Sequence, residues 1–436
     1  MKIGIDLSSL QGPHRLRGIG SVLLNFLNNI PDEAKEEHMF IFFVLPSSYT
    51  TVDAFENLGL GNMNYEVREL TPIKPYPKTL PGRLNLIVSA LNQLKSLRDY
   101  RFGDSRVKPG DLKDLDAYFQ IDPDKPLPKK RHKLKSVLFI HDLIPYVLEW
   151  DYLWSYKTAR LKGYSRKAAL RVQSRRTLYL LKYRSVIRNA SILIANSHHT
   201  KEDFVRFLSI RPKKITVAQL GVGPVDTKSI ATKPVTAYRP TSWGYLSHEQ
   251  PFNEEDVPFL LYVGGADRRR KLEDLVTAFN HLRAQGISLK LVLCGDSMQG
   301  PMSIATEEIQ YALKTSSYLE DIIFLGYCSP ETIDWLYGHA LAFVFPSRYE
   351  GFGLPVLEAM AHGCIVVSYP NKATKEVAED TCLFVNGPLE IRDTIIDLIN
   401  RPSAIQKDTI AAAKHRAKSF SWEKTATEIM NTIASL

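Results

Sequence analysis

The sequence predicts an α/β protein built from two doubly wound domains, and three observations carry that prediction. Two stretches far apart, Lys2–Leu7 and Phe259–Val263, each read as a strand that runs into a glycine turn and then an amphipathic helix, the opening of a doubly wound domain. The chain has 436 residues, more than one ordinary core serves. Short apolar runs alternate with helical patterns throughout, and none approaches the eighteen or so residues of a membrane span; Met39–Leu45 is seven.

Bulk composition is that of a soluble globular protein, with 44% hydrophobic and 24% charged residues. A net charge of +9 favours anionic partners, whether nucleic acid, anionic lipid or a phosphorylated substrate. The chain has no zinc-finger spacing, no aromatic RNA-binding motif and no Walker loop, so no nucleic-acid partner is expected. Cys294, Cys328, Cys364 and Cys382 are scattered, with no close pairing and no metal-cluster spacing, which suits a reduced cytosolic setting. Met1-Lys-Ile-Gly-Ile-Asp enters a strand directly, so no secretory signal is expected.

In the first half, Lys2–Leu7 leads through a polar loop to Gly18-Ile-Gly20. A helix follows over Ser21–Ile30, with Val22, Leu23, Phe26, Leu27 and Ile30 on one face. Arg15 and Arg17 are charge candidates beside that turn. Met39–Leu45 reads as a strand. Pro72, Pro75, Pro77 and Pro81 lead into an amphipathic segment, Leu84–Leu97, read as a rim helix. Asp116–Gln120 is a short strand. Asp114-Leu-Asp116 and Asp122-Pro-Asp124 have the Asp-x-Asp form that in some metal-dependent enzymes holds a divalent ion on a diphosphate. Lys135–Ile140 is a strand ending in His141-Asp142, and functional side chains gather at such strand ends.

No acidic residue falls between Tyr152 and Lys201, while eleven Lys or Arg lie between Lys157 and Arg188, mixed with Trp and Tyr. One or two helices are expected there. Residues 152–188 are either a solvated face or a surface for anionic membrane, where each basic residue is worth about 1 kcal/mol. Ser197 is placed to cap a helix after the strand in Ala190–Asn196. Ile215–Leu220 closes the domain, and residues 222–257, rich in Pro, Thr and Ser, read as a linker.

The second half opens with Phe259–Val263, then Gly264-Gly265, then Arg268-Arg-Arg-Lys271 and a helix over Leu272–Arg283. A basic run at the mouth of a parallel sheet reads as a diphosphate clamp. Leu289–Cys294 and Ile322–Leu325 are further strands, and Cys364–Ser368 follows the helix that carries Glu358. The centre of the chain is Phe345–Glu358: an apolar run, Leu341–Phe345, a loop with Gly351 and Gly353, and a helix starting near Leu354-Pro355. Bare amides at a helix start suit a phosphate, and the flanking carboxylates, Glu350 and Glu358, suit sugar hydroxyls. A nucleotide sugar fits all three features.

Glu350-x7-Glu358, with Gly-Phe-Gly-Leu-Pro between, resembles the signature of the retaining glycosyltransferases of family 4 and their relatives. These have the GT-B fold, two Rossmann-like domains facing across a cleft. Gly18-Ile-Gly20, Phe-Ile-His141-Asp142-Leu-Ile-Pro, Gly264…Arg270-Lys271 and the tail from Phe420-Ser-Trp resemble further segments of that family. The likeness covers most of the chain except residues 71–112 and 222–257. It implies domains at 1–221 and 258–418, joined by 222–257, and a helix at 419–436 that crosses back to the first domain.

The resemblance also implies roles. Glu350 would meet the donor sugar and Glu358 the ribose. Arg270 and Lys271, with Gly264 and Gly265, would hold the diphosphate, although many members carry an Arg in place of Gly265. Backbone at Gly351, Phe352, Gly353 and Leu354 would assist, and Gly18 and Gly20 would face the phosphates. Backbone near Tyr327 would meet the base. His141 would lie at the sugar end and Asp142 on the acceptor side. No metal and no cofactor beyond the nucleotide sugar is implied.

The expected activity is transfer of a hexose from GDP-mannose or a UDP-hexose to a glycan or lipid-linked acceptor, in the cytoplasm or at the inner face of the membrane. A phosphorylase or epimerase of the same fold, a catalytically silent partner subunit and a basic nucleic-acid binder are the alternatives.

Overall fold

Apolar runs buried on both faces produce two parallel sheets. The computed structural model describes residues 1–12, 15, 18–71, 98–99, 104, 106–128, 134–225, 237–238, 249–250, 257–295, 297–298, 304, 306–401 and 403–436. Arg17, the expected helix at Leu84–Leu97 and most of the expected linker at 222–257 lie outside these residues. The chain divides into two units, Met1–Gly221 with Trp422–Leu436, and Val222–Ser421.

In the first unit the strands are β1 (Lys2–Asp6), β2 (Met39–Val44), β3 (Tyr65–Glu69), β4 (Ala117–Gln120), β5 (Lys135–Ile140), β6 (Ile192–Ala195) and β7 (Ile215–Val217). Their order is β3-β2-β1-β4-β5-β6-β7, and every pairing is parallel. Ile3, Ile5, Phe40–Phe43 and Val137–Ile140 are fully buried, as parallel strands covered on both faces require. The sequence reading omits β3 because this edge strand carries Glu66 and Arg68 instead of an apolar run; charge on an edge blocks unwanted pairing.

The helix Ile19–Asn28 buries Val22, Leu23, Phe26 and Leu27, and Phe26 meets Phe119 of β4 at 5.1 Å between ring centroids. The helix Trp422–Ala434 packs beside it, burying Thr425, Ala426, Ile429 and Ile433. Thr425 Oγ1 donates to the Gln219 carbonyl at 2.6 Å, which ties the last helix to the end of this unit's sheet.

In the second unit the strands are β8 (Ala237–Tyr238), β9 (Glu249–Gln250), β10 (Phe259–Val263), β11 (Lys290–Cys294), β12 (Ile322–Gly326), β13 (Ala342–Phe345), β14 (Val366–Ser368) and β15 (Leu383–Phe384). The order is β15-β14-β13-β10-β11-β12-β8-β9, with β8 and β9 added antiparallel at one edge. Strand order therefore reverses between β10 and β13, which pair in parallel. In open α/β sheets the carboxyl ends of the strands at such a reversal form the ligand site. The equivalent reversal in the first unit lies between β1 and β4. No helix among the described residues is long and apolar enough to cross a membrane.

Candidate active site

The loops after β10 and β13 bring one buried arginine, Arg269, and one partly buried arginine, Arg270, onto one buried carboxylate. Asp267 caps the short 3-10 turn Arg268–Arg270, accepting from the Arg269 amide. That turn sends consecutive side chains in different directions. Arg268 turns outward to Glu308 at 3.0 Å, while Arg269 and Arg270 turn in to Glu350. Arg269 Nη1 donates to Glu350 Oε1 and to the Tyr349 carbonyl, and Arg270 Nε donates to the same carboxylate oxygen at 3.2 Å. Ser347 Oγ donates to it as well, at 2.9 Å. Among the described residues all of these bonds fall on Oε1, so Oε2 is left as an acceptor for a ligand hydroxyl.

Glu350 is 7% exposed and Arg269 8%. Burial alone would raise the Glu350 carboxyl. The Arg269 and Arg270 guanidiniums and the Ser347 hydroxyl outweigh it and hold the group below its ordinary value. Burial would likewise lower Arg270, but Glu350 and the Tyr262 hydroxyl hold it above the ordinary arginine value. Both groups are therefore charged at neutral pH.

Gly264 and Gly295 have geometric reasons to be glycine. Gly264 has φ +147°, and a Cβ there would lie 2.0 Å from Arg270 Nη1. A Cβ at Gly295 would lie 2.1 Å from the Gly264 carbonyl oxygen. The missing side chains let the ends of β10 and β11 approach and let Arg270 lie across Gly264, with its guanidinium 5.4 Å from the Phe345 ring centroid. Gly265 sits beside Ser297, whose hydroxyl accepts from the Ala266 amide at 2.9 Å.

Lys271 does not join Arg269 and Arg270 on Glu350. It takes a left-handed conformation, φ +46°, at the start of the helix Leu272–Ala284, and its Nζ lies 2.9 Å from Glu273 Oε1. The sequence reading puts Arg270 and Lys271 on the diphosphate; the second guanidinium on Glu350, Arg269, is one it did not single out. In a run of four cations only the capping Asp267 marks which side chains face the sheet.

The helix Leu354–His362 begins at Gly353, φ +100°, with no side chain capping its first turn and Pro355 in that turn. Pro355 has no N–H and the Val356 and Leu357 amides donate to the Gly353 carbonyl, so among the described residues the amides left at this helix start are those of Gly353 and Leu354, a seat for anionic oxygen. Phe352 is buried and meets Phe420 edge-on at 5.9 Å. Glu358 is on this helix; its Oε2 accepts from the Tyr337 hydroxyl at 3.2 Å, and burial raises its carboxyl. Tyr327 follows β12 and is largely exposed.

In the first unit Gly18 takes φ +53° and starts the helix Ile19–Asn28, with Gly20 buried in its first turn. Arg15 is paired with Glu56 at 2.7 Å. His141 follows β5, and its Nε2 donates to the Ile121 carbonyl at 2.9 Å, so Nδ1 is the bare nitrogen. Burial lowers His141 despite that bond and the nearby Asp122. Asp142 Oδ1 accepts from the Ile144 amide at 2.9 Å.

The carboxylates of both Asp-x-Asp pairs have internal partners. Asp114 binds Arg68 and Lys2, Asp116 accepts from the Lys2 amide, and Asp122 lies 3.2 Å from Lys125 Nζ. No group of three or more potential metal ligands occurs among the described residues.

Two Rossmann-like units, the second with a carboxylate clamped by arginines at its strand reversal, define the GT-B class of fold. Within that class, residues 246–416 match the family model described as Glycosyl transferases group 1. The O-antigen chain mannosyltransferase B of Escherichia coli is 32% identical over 180 residues, 40% of this chain and 45% of the relative. The D-inositol 3-phosphate glycosyltransferase of Corynebacterium diphtheriae is 25% identical over 252 residues, 56% of each chain. The chain spans about half the length of these curated relatives. The crystal structure of Anabaena HepE in complex with UDP and glucose covers 100% of this chain and 99% of its own, with TM-score 0.58 and 15% identity. WaaG, a glycosyltransferase involved in lipopolysaccharide biosynthesis, covers 100% of both chains with TM-score 0.58 and 14% identity. At those identities the likeness is one of fold.

Proposed function

We propose that this protein is a retaining glycosyltransferase that moves a hexose from a nucleotide sugar, GDP-mannose or a UDP-hexose, to a hydroxyl of a glycan or lipid-linked acceptor in cell-surface polysaccharide synthesis. The observation that carries the proposal is Glu350. It is ionised, anchored through Oε1 by Arg269, Arg270 and Ser347, and among the described residues no bond falls on Oε2, which suits a sugar hydroxyl beside an uncapped helix start. The mannosyltransferase name of the Escherichia coli relative and the UDP-glucose complexes of HepE support the substrate class.

The donor diphosphate sits against Arg269, Arg270 and the amides at Gly353 and Leu354, with Lys271 at its margin. Glu350 holds the sugar, Glu358 the ribose, and backbone at Tyr327 the base. As the bond from the anomeric carbon to phosphate breaks, charge grows on the phosphate oxygen. Two guanidiniums fixed beforehand stabilise it, commonly the largest catalytic contribution. The acceptor oxygen bonds the anomeric carbon on the face the phosphate leaves, and the acceptor proton passes to the departing phosphate oxygen. These arginines supply the positive charge that a metal ion supplies in other transferases, so no metal is required.

The membrane reading rests on the helices Tyr156–Leu161 and Arg166–Asn189. Lys167, Arg171, Arg175, Arg184 and Arg188 are exposed along the second helix, interleaved with Leu170 and Leu181, 58% and 55% exposed. Basic residues and bare leucines on one surface suit anionic lipid and would place the enzyme at the inner face of the membrane.

A thermal-shift panel of UDP, GDP, ADP and TDP with their sugars, with and without EDTA, tests the proposal. A ligand at one hundred times its Kd stabilises the fold by about 2.7 kcal/mol. One nucleotide family should raise the Tm equally with and without EDTA. No shift with any nucleotide, or one abolished by EDTA, overturns the metal-free transferase.

A further inference from the structure

The carboxyl edge of the second sheet holds a pair of thiols that the reaction does not use. Cys294 ends β11 and Cys328 follows β12 by two residues; strand register sets Cys294 opposite Gly326. The two sulfurs, 34 residues apart in sequence, lie 3.0 Å apart in space. Each also approaches the Gly326 carbonyl, at 3.6 and 3.8 Å. Cys294 is buried and Cys328 partly exposed, while Cys364 and Cys382 are buried. Contact with the Cys328 sulfur and burial both push the Cys294 thiol up. The exposed member therefore meets an oxidant first and the protected member waits behind it, the arrangement of an attacking and a resolving cysteine.

We propose that Cys294 and Cys328 form a redox-modification site, converted to a disulfide by a low-molecular-weight disulfide of the glutathione class. The Cys328 thiolate attacks one sulfur of the oxidant, giving a mixed disulfide and releasing one thiol. Cys294 then loses its proton and attacks the Cys328 sulfur, releasing the second thiol. Two protein thiols and one disulfide become one protein disulfide and two small thiols, so electrons and protons balance.

The consequence falls on Tyr327, which lies between Gly326 and Cys328. Tying Cys328 to β11 fixes this turn and displaces the backbone expected to meet the base. This consequence rests on the donor-site reading above; the thiol chemistry does not. A displacement of about 1 Å in a positioning group can cost up to about 10²-fold, so a nucleotide affinity weaker by about tenfold is expected.

The test treats the folded full-length chain with oxidised glutathione, then maps peptides by mass before and after reduction. The expected product is a Cys294–Cys328 crosslink lighter by two hydrogens and reversed by reductant. A Cys294→Ser variant should instead keep a glutathione adduct on Cys328. Titration of both redox forms with UDP and GDP should show the weaker binding only in the crosslinked protein. No crosslink in the folded chain overturns the redox site. A crosslink with affinity unchanged within a factor of about two leaves the site standing and overturns its coupling to nucleotide. A crosslink with neither nucleotide bound in either form also overturns the coupling, and the donor-site reading with it.

Discussion

Glu350→Gln removes the carboxylate shared by Arg269 and Arg270 while keeping the side chain's size. Both guanidiniums are then left in a site where Glu350 is only 7% exposed. Removing one partner of a buried ion pair costs about 3–5 kcal/mol. The lower end is expected, because the Gln carbonyl still accepts one hydrogen bond and Asp267 stays 3.7 Å from Arg269 Nε. For a unit of this size that corresponds to a Tm lower by roughly 6–12 °C, at about 2–4 °C per kcal/mol.

The pH dependence distinguishes this account from a packing defect. Glu350 has a folded pKa held below its unfolded value. Its stabilisation is therefore present above the unfolded carboxylate pKa, about 4.3, and lost as pH falls through the lower folded value. The gap between wild type and Glu350→Gln, read by urea melts, should be full at pH 7 and shrink in acid. A gap below about 0.5 kcal/mol at pH 7, or one unchanged in acid, refutes the clamped-carboxylate argument. Sugar transfer should fall by about 10²-fold or more, while binding of the nucleoside diphosphate alone persists.

Gly264→Ala places a methyl group where Arg270 lies and strains a backbone at φ +147°; a loss of about 1–3 kcal/mol and of most turnover is expected, measured by melting and transfer assay. Lys271→Ala removes only a partly exposed contact to Glu273, so its stability cost should stay below about 1 kcal/mol, and its turnover should exceed that of Arg270→Ala. Replacing Arg171, Arg175 and Arg184 together by Gln should weaken partition onto vesicles with anionic lipid by about 10²-fold, at about 1 kcal/mol each; unchanged partition ends the membrane reading. His141, lowered by burial, should remain neutral by NMR below its ordinary value. A depressed histidine pKa gives stability that is present above the unfolded value and lost as pH falls through the folded one, and His141→Ala should remove that acid limb.

The central stretch was legible because its signals are local. An apolar run, two glycines and a proline specify strand, loop and helix within twenty residues, and the helix begins at Leu354 as read. The same holds for Ser197, whose hydroxyl accepts from the Thr200 amide at 2.9 Å at the start of the helix His198–Leu208. Arg269 was illegible because Arg268, Arg269, Arg270 and Lys271 are chemically alike and only the pitch of one turn separates them. The thiol pair was illegible for a different reason. Its two members meet through the register of β11 and β12, and register depends on the whole sheet rather than on either segment. The edge strand β3 shows the limit of reading strands from apolar runs.

The last helix has a consequence for the order in which this chain becomes a protein. Trp422–Ala434 packs on a unit whose other residues are finished by Gly221. At about 5–20 residues per second, synthesis needs roughly 10–40 s between those points. Throughout that interval the apolar surface that will receive Ile429 and Ile433 waits uncovered, while the second unit can emerge and fold without interruption. The first unit, though made first, is completed last, and a ribosome that stops short of residue 422 releases a chain whose earlier half is the unfinished one.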